Sequence, residues 1–277
     1  MRRIAIVPAR ANILGEYTDH RGGLSLPFAT QHRLTLTASE REHGFTGNRD
    51  IVSLWKAAGG WPADLELESK IPIGAGMSSS AALCVALALC INGKRSHMET
   101  CLEAQRIEHE FLGTPCGLLD PIAITHSSEK HAIIIDFSDL SVTPFRIPEE
   151  WKFKIIDTGV RRHLKDTSYG LSNVAEDVWK KHVAEESKRV REAISCDPYQ
   201  LGKSLNQSHF SLSCRIGVST PEIDQLVEKV QTTKGVLGAR LMGGGFGGMI
   251  LAIVENNIEV PGTTIVPSES AILQEFV

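Results

Sequence analysis

The segment from Ile71 to Leu83, with the sequence IPIGAGMSSSAAL, constrains the fold and chemistry of this chain more than any other. Its glycines and serines lead into Ser80–Ile91, where apolar residues occupy every side and predict a buried helix. Small residues let backbone N–H groups approach an anion, and a helix N-terminus adds partial positive charge. Serine hydroxyls there can bind phosphate oxygens or a magnesium ion. The pattern therefore fits a phosphate-binding loop, and it equally fits a glycine turn that only caps a buried helix.

Charge and cysteine content narrow the class of protein. The 277 residues carry a formal net charge of −4, which gives no electrostatic reason to expect a nucleic acid partner. Six cysteines without a C-x-x-C pair indicate reduced thiols in the cytoplasm. The longest apolar run, Ala81–Ile91, is too short to span a bilayer, and the N-terminus does not resemble a signal peptide. We therefore expect a soluble cytoplasmic protein, whose oligomeric state the composition leaves open.

The periodicity of the chain predicts a mixture of strands and helices without regular β-α-β alternation. Apolar and polar residues alternate in Arg33–Ser39 and Asp64–Ser69, as is typical of strands. Ser96 and Glu99 have the spacing of a capping box, which predicts a helix that ends near Leu112. This mixture indicates the α+β class. Further strands are expected at 4–7, 131–137, 153–158 and 250–254, and further helices at 174–194, 199–208 and 221–233.

Two more segments share glycine-rich or polar patterns with a known family. Residues 8–20 read PARANILGEYTDH, and residues 241–249 read LMGGGFGGM. Together with Ile71–Leu83 they resemble the three signature motifs of the GHMP kinases. Residues 8–20 correspond to the first motif, Ile71–Leu83 to the second and residues 241–249 to the third. Residues 8–20 look most like the galactokinase signature, whose core reads G-R-x-N-L-I-G-E-H-T-D-Y. The resemblance extends over roughly Ile4 to Val254.

This resemblance implies a particular architecture. GHMP kinases have two α+β lobes with the active site between them. Carried over to this chain, residues 1–141 would form an N-terminal lobe like domain 2 of ribosomal protein S5. Residues 142–277 would form a ferredoxin-like C-terminal lobe, and their glycine motif would close on the first lobe.

The resemblance also assigns the residues of phosphoryl transfer. Asp120 ends the segment PCGLLD, which resembles the galactokinase segment P-C-G-x-x-D, whose aspartate is the catalytic base. Arg10 matches the arginine that pairs with this base. Ser80 and Glu108 match a magnesium-binding serine and a second, acidic ligand, and oxygen donors are what Mg²⁺ prefers. Without the resemblance, Asp120 would be interpreted as a helix cap or turn residue and Glu108 as an exposed helix residue.

The nucleotide expected from the resemblance is ATP. Trp55 resembles the tryptophan that stacks on adenine, although its apolar neighbours also fit a position in the core. The phosphates would lie on the glycine–serine segment, made up of Gly74, Ala75, Gly76, Met77, Ser78, Ser79 and Ser80.

Five positions match residues around the sugar in galactokinases. Glu16 and Asp19 match the pair that binds the sugar hydroxyls, and carboxylates are strong acceptors for such donors. Tyr17 stands where the signature has a histidine that also contacts the sugar. Gly117 falls beside the sugar, and Tyr169 corresponds to a tyrosine that lines the pocket.

These assignments imply an ATP-dependent and Mg-dependent kinase that acts on the anomeric hydroxyl of a hexose, with galactose the leading substrate. Tyr17 and His20 depart from the signature, so a kinase for galacturonate, N-acetylgalactosamine or a heptose is the first alternative. The second alternative is a sensor that binds ATP and sugar without catalysis. The expected partners are these small molecules, with neither nucleic acid nor membrane.

Overall fold

A computed structural model describes residues 1–72, 76–160 and 174–276. Within these ranges, twelve strands form three separate sheets. The strands are β1 (Arg2–Asn12), β2 (Leu24–Ser25), β3 (Pro27–Glu40), β4 (Thr46–Gly47), β5 (Ala63–Ser69), β6 (His131–Asp136), β7 (Ser141–Arg146), β8 (Lys152–Asp157), β9 (Val236–Leu241), β10 (Met249–Val254), β11 (Thr263–Ile265) and β12 (Ile272–Phe276).

Seven α-helices pack around the sheets in the same ranges. They are α1 (Arg49–Ala57), α2 (Ser79–Asn92), α3 (His97–Ile107), α4 (Leu119–His126), α5 (Glu176–Ala193), α6 (Pro198–Phe210) and α7 (Pro221–Gln231). A 3-10 turn spans Asp19–Arg21, and single π-helical turns at Glu108–Leu112 and Ser211–Ile216 extend α3 and α6. None of the described helices combines the length and the apolar character that crossing a membrane requires.

The largest sheet carries the first signature segment, residues 8–20, at the end of β1, one of its interior strands. Its order is β12-β1-β3-β5-β4, and α2 packs on β1 and β3. The antiparallel pairing of β1 with β3 shifts register between Pro8 and Arg10, while Asn12 remains opposite Pro27. Such an irregularity redirects the side chains that follow it. It lies immediately before Arg10, whose side chain reaches the cavity described below.

The second sheet carries the third glycine motif, residues 241–249. Its order is β11-β8-β10-β9, and all its pairings are antiparallel. The motif occupies the connection between β9 and β10, in which Gly243, Gly245, Gly247 and Gly248 all have positive φ. Glycine adopts such conformations without steric cost.

Two strand pairings cross the lobe boundary predicted at residue 141. β7 pairs with β6 in the third sheet, whose order is β2-β6-β7. β12 pairs with β1, so the end of the described chain returns to the first sheet. The division into 1–141 and 142–277 therefore does not follow the sheets, and the two-lobe assignment remains a prediction.

Most predicted elements are present, and the mixed α+β content is confirmed. Arg33–Ser39 and Asp64–Ser69 lie in β3 and β5, and α2 is apolar on all sides with most residues buried. The capping box of Ser96 and Glu99 is formed in full. The predictions did not include α1 and α4. The second has only eight residues and no capping side chain, so it gives little periodic signal.

Candidate active site

A cavity of about 370 Å³ lies where the first signature segment, the start of α4 and the third glycine motif meet. The residues that line it come from separate parts of the chain. Six of the predicted catalytic and sugar-binding residues line it, namely Arg10, Glu16, Tyr17, Asp19, Gly117 and Asp120.

Asp120 is bound to both the first strand and the glycine–serine segment. Its Oδ1 accepts a hydrogen bond from Nε of Arg10 at 2.7 Å, and its Oδ2 accepts one from the hydroxyl of Ser78. Nη1 of Arg10 also donates to the carbonyl oxygen of Gly76 at 2.6 Å. The Arg10 side chain is buried, whereas a quarter of the Asp120 side chain remains exposed towards the cavity. The arrangement leaves a carboxylate beside a fixed cation at the cavity wall.

Ser80 and Glu108 meet beneath this site. The hydroxyl of Ser80, in the first turn of α2, donates to Oε1 of Glu108 at 2.6 Å. Oε2 of Glu108 accepts from Sγ of Cys116 at 3.1 Å. Burial raises the pKa of Glu108, and the bonds from Ser80 and Cys116 oppose that rise. A hydroxyl and a carboxylate at this distance fit the hard oxygen donors that Mg²⁺ prefers. A larger cluster, of three or more His, Cys, Asp and Glu side chains placed to hold a metal ion, does not occur among the described residues.

Glu16 and Asp19 line one cavity in opposite electrostatic environments. Burial alone would raise the pKa of Glu16, but the charges of Arg240 and Arg10 outweigh it and lower that pKa. Oε1 of Glu16 accepts from the Gly243 N–H at 2.8 Å and from Nη2 of Arg240 at 3.2 Å. Burial raises the pKa of Asp19, the neighbouring His20 opposes this rise, and the charge of Asp120 adds to it. The protein therefore holds the Glu16 carboxylate ionised, while burial disfavours the ionised form of Asp19, whose carboxylate accepts a bond from its own backbone N–H.

Gly117 allows Asp19 to occupy its position. A Cβ atom on Gly117 would lie 1.7 Å from Oδ2 and 2.4 Å from Cγ of Asp19. These distances are far inside van der Waals contact. The absence of a side chain at position 117 therefore leaves the space that the Asp19 carboxylate occupies.

Tyr17 joins the first signature segment to the third glycine motif. Its hydroxyl donates to the carbonyl oxygen of Gly244 at 2.7 Å, and its ring centroid lies 6.1 Å from that of Trp179. Tyr17 has a φ of 60°, an uncommon conformation for a bulky residue. Its hydroxyl is thus engaged by the protein, and the ring forms part of the cavity wall.

The glycine–serine segment, at Gly76, and the third glycine motif approach each other through their backbones. A Cβ atom on Gly76, which has a φ of +68°, would lie 2.9 Å from the carbonyl oxygen of Met242. A Cβ atom on Gly243 would lie 2.9 Å from the carbonyl oxygen of Gly76. Only glycine permits this approach at both positions. The two segments therefore form one continuous surface beside Asp120.

The remaining residues predicted to bind nucleotide have different outcomes. Ser79 begins α2, as expected for a residue at a helix N-terminus. The Met77 side chain is buried in the main core, so only its backbone is available to phosphate. Gly74, Ala75 and the predicted sugar residue Tyr169 lie outside the described residues.

The prediction that Trp55 stacks on adenine is wrong for this structure. Trp55 is fully buried, and its Nε1 donates to the carbonyl oxygen of Trp61 at 2.7 Å. The two indole rings pack edge to face with centroids 5.1 Å apart. Since no face of the ring is available to a base, Trp55 serves the core, as its apolar neighbours in the sequence also indicated.

Three residues of the C-terminal half support the site and were missed by the sequence analysis. Arg240, in β9, contacts Glu16 as described above. Glu186 accepts from the Gly15 N–H at 2.9 Å, and Nε2 of His182 donates to the carbonyl oxygen of Glu16 at 3.0 Å. The only sequence signal for any of them concerned Arg240, which is a charged residue inside the apolar run of β9, directly before the glycine motif.

Comparison with known proteins gives matches along most of the chain. The GHMP kinases N terminal domain matches residues 49–128, and the GHMP kinases C terminal family matches residues 190–260. The galactokinase galactose-binding signature matches residues 2–40. A galactokinase of Thermotoga petrophila is 30% identical over 307 residues, covering 89% of this chain and 87% of that protein. A galactokinase of Chloroflexus aurantiacus is also 30% identical, with coverage of 91% and 84%.

Solved structures are similar in fold. The crystal structure of Lactococcus lactis galactokinase complexed with galactose aligns with a TM-score of 0.80 at 21% identity, over 98% of this chain and 95% of that chain. The crystal structure of Methanococcus jannaschii mevalonate kinase aligns with a TM-score of 0.71 at 18% identity, over 96% and 98%. At these identities the matches establish the GHMP kinase fold alone.

Proposed function

The chain belongs to the galactokinase family of the GHMP kinases, and on that premise we propose that it transfers the γ-phosphoryl group of MgATP to the anomeric hydroxyl of a hexose, with galactose the leading substrate. The observation that carries this proposal is a single cavity in which Asp120, paired with Arg10, faces the same space as Glu16 and Asp19. A base with a fixed cation and a carboxylate pair for hydroxyls are the parts that sugar phosphorylation needs.

Asp120 would act on the hydroxyl that is phosphorylated. Its Oδ1 is held by Arg10, so Oδ2 is the oxygen that can exchange its partner, Ser78, for the anomeric hydroxyl. The hydroxyl proton passes to Asp120 as the sugar oxygen bonds to phosphorus and ADP departs. Arg10 lies where its charge also stabilises the negative charge on the transferring group.

Sugar recognition would use the two carboxylates unequally. Glu16 already accepts bonds from Arg240 and Gly243, so it presents an ionised and fixed acceptor. Asp19 has acceptor capacity that sugar hydroxyls can fill. The predicted contribution of Tyr169 belongs to the same proposal.

ATP would place its phosphates on the segment 74–80, where the N-terminus of α2 favours negative charge. Ser80 and Glu108 would hold Mg²⁺, which supplies neutralisation of the phosphate charge when bound.

The expected cytoplasmic location also remains a proposal, and the six unpaired cysteines support it.

A specific observation favours a uronic acid as a second candidate substrate. Arg21 lines the cavity, its guanidinium carbon lies 4.3 Å from the centroid of the Trp179 ring, and its Nη2 lies 3.6 Å from Oε2 of the exposed Glu176. A guanidinium held in this way matches the carboxylate of galacturonate. Galactose has no group that needs this charge. A sensor without catalysis is less well supported, since Asp120 and Arg10 are paired as a catalytic site requires.

The test is a coupled assay of ADP release with MgATP and a panel of free sugars. The panel holds galactose, galacturonate, N-acetylgalactosamine and a heptose, with a no-sugar control. We expect turnover on galactose that is lost in Asp120→Asn, which retains the shape of the side chain but cannot take the proton. Turnover on galacturonate alone would favour the second candidate. ATP binding without sugar-dependent ADP release from any sugar would leave only the sensor.

A further inference from the structure

Arg240 is a fully buried arginine in the interior of β9. Its neighbours in the strand, Ala239 and Leu241, are also fully buried. Removing a guanidinium from water is unfavourable unless its donors and its charge are all satisfied, and an apolar side chain at such a position avoids that cost. The contacts made by Arg240 therefore have to account for its presence.

Three of the four acceptors that Arg240 contacts belong to the first signature segment. Nε donates to the carbonyl oxygen of Ile13 at 2.8 Å, and Nη2 donates to the carbonyl oxygen of Asn12 and, at 3.2 Å, to Oε1 of Glu16. Nη1 donates to the carbonyl oxygen of Leu241 at 2.8 Å. Arg240 thus connects the strand that precedes the third glycine motif to the residues that lead into the sugar cavity.

Glu16 completes this connection from the other side. The same Oε1 atom that contacts Arg240 accepts the N–H of Gly243, the first glycine of the motif. Helix α5 adds two contacts at the same place, from Glu186 to the Gly15 N–H and from His182 to the carbonyl oxygen of Glu16. The backbone at Gly15 and Glu16 is consequently held from β9 and from α5 just before Asp19.

We infer that Arg240 is a positioning residue, which fixes Glu16 and the backbone of residues 12–16 against the third glycine motif and so sets the geometry of the sugar cavity. This inference rests on the proposed function, since it concerns the binding of the sugar in that cavity. Arg240 itself does not line the cavity, and it acts through Glu16.

The charge of Arg240 gives this role a distinct signature in the pH dependence. Among the influences that lower the pKa of Glu16, Arg240 is the largest, followed by Arg10 and the Gly243 N–H, while burial acts in the opposite direction. Asp19 faces the same space and is itself affected by the charge of Glu16. Without Arg240, Glu16 keeps its burial and loses its main cation, so its pKa rises.

The experiment compares wild type, Arg240→Met and Arg240→Lys, with Arg33→Met as a matched control. Arg33 is a half-buried arginine that donates to Ser268 at 2.5 Å and to backbone oxygens at residues 30 and 269, and it does not line the cavity. For each protein, kcat and KM for sugar and for ATP are measured from pH 5 to 9, together with Tm.

In Arg240→Met we expect the sugar KM to rise by about tenfold or more, because a small misplacement of binding groups has effects of this size. The ATP KM should change by less than about threefold. The acidic limb of kcat/KM for the sugar should move to higher pH. Arg240→Lys should restore the position of the limb through its charge, but it should restore KM only in part, because an ammonium cannot reproduce the guanidinium contacts. Arg33→Met should lower Tm and leave the limb in place.

An unchanged limb and an unchanged sugar KM in Arg240→Met, with only a lower Tm as in Arg33→Met, would overturn the inference. If Arg240→Met does not fold, Arg240→Lys is compared in the wild-type and Glu16→Gln backgrounds. An equal loss of sugar affinity in both backgrounds would show that Arg240 does not act through Glu16. Absence of sugar-dependent turnover in the wild type refutes the proposed function instead, so the two failures are distinguishable.

Discussion

Replacing Gly117 by alanine tests the sugar cavity with the least change to the rest of the molecule. The added Cβ would lie 1.7 Å from Oδ2 of Asp19. An ordinary contact is about 3.5 Å, so the carboxylate oxygen has to move by about 1.8 Å. Gly117 does not have a positive φ, so its backbone conformation suits alanine. The conflicting atoms lie at the end of a side chain that can rotate, and the fold should therefore tolerate the change.

The sugar site should not tolerate it. A displacement of about 1 Å in a positioning group can cost about 100-fold in rate, and the displacement here is larger. We therefore expect Gly117→Ala to raise the sugar KM by about 10-fold to 100-fold, with Tm nearly unchanged and the Kd for ATP unaffected. The assay is coupled ADP release for KM, with calorimetry for ATP and thermal unfolding for Tm.

A double-mutant cycle with Asp19→Ala identifies the cause. In the Asp19→Ala background the conflicting carboxylate is gone, so Gly117→Ala should cost little more, and the two effects should be strongly non-additive. Gly44→Ala serves as the control for strain, since Gly44 has a φ of +76° and open space around it. It should lower Tm without changing the sugar KM. Simple additivity of Gly117→Ala with Asp19→Ala, or a normal sugar KM in Gly117→Ala, would refute this reasoning.

Three further results are expected from the contacts in the site. Burial and the charge of Asp120 raise the pKa of Asp19. On acidification, the sugar KM should therefore begin to rise at a pH above the usual pKa range of aspartate. A folded-state pKa above the unfolded value means that stability is lost as pH rises through the folded pKa. Asp19→Asn should thus remove the part of the pH dependence of the sugar KM that Asp19 contributes and leave the part due to Glu16. It should also increase the free energy of unfolding in urea at neutral pH, and a decrease in that free energy would contradict this. Glu108→Gln removes a charge beside Ser80 and should weaken apparent Mg²⁺ affinity in a titration at fixed ATP by about tenfold or more, without changing sugar affinity; equal Mg²⁺ dependence would exclude Glu108 as a ligand. Ser78→Ala removes the donor to Oδ2 of Asp120 and should change kcat by about tenfold with small effects on both KM values, whereas a change confined to the ATP KM would make Ser78 a phosphate-binding residue only.

The sequence predicted those parts of the site that lie in compact local patterns. Residues 8–20, 71–83 and 115–120 each place several functional side chains within one loop or helix start. Their local structure follows from glycine, serine and apolar periodicity, and the fold only has to bring three such segments together. Asp120 and Arg10, for example, are separated by 110 residues and still meet as predicted.

The parts that the sequence did not predict depend on long-range contacts with ambiguous local patterns. Glu186 and Arg189 have the spacing of an ordinary ion pair on an exposed helix face, yet both are buried and Glu186 binds the backbone of Gly15. Trp55 shows the opposite case, since its local pattern fitted the core and only the resemblance suggested a ligand. A pattern of period 3.6 predicts a helix and one of its faces, but it does not identify the element that covers that face.

The three carboxylates of the cavity differ in what the protein provides for them. Asp120 has Arg10, and Glu16 has Arg240. Asp19 forms no salt bridge with any residue in the described part of the chain, and burial and the charge of Asp120 raise its pKa although His20 opposes the rise. An acceptor in this condition gains most when hydroxyl donors arrive, because they replace water that the cavity restricts and oppose the nearby charge. Sugar hydroxyls are such donors. The binding free energy of the sugar should therefore depend more on Asp19 than on Glu16, whose role is to fix the loop on which Asp19 lies.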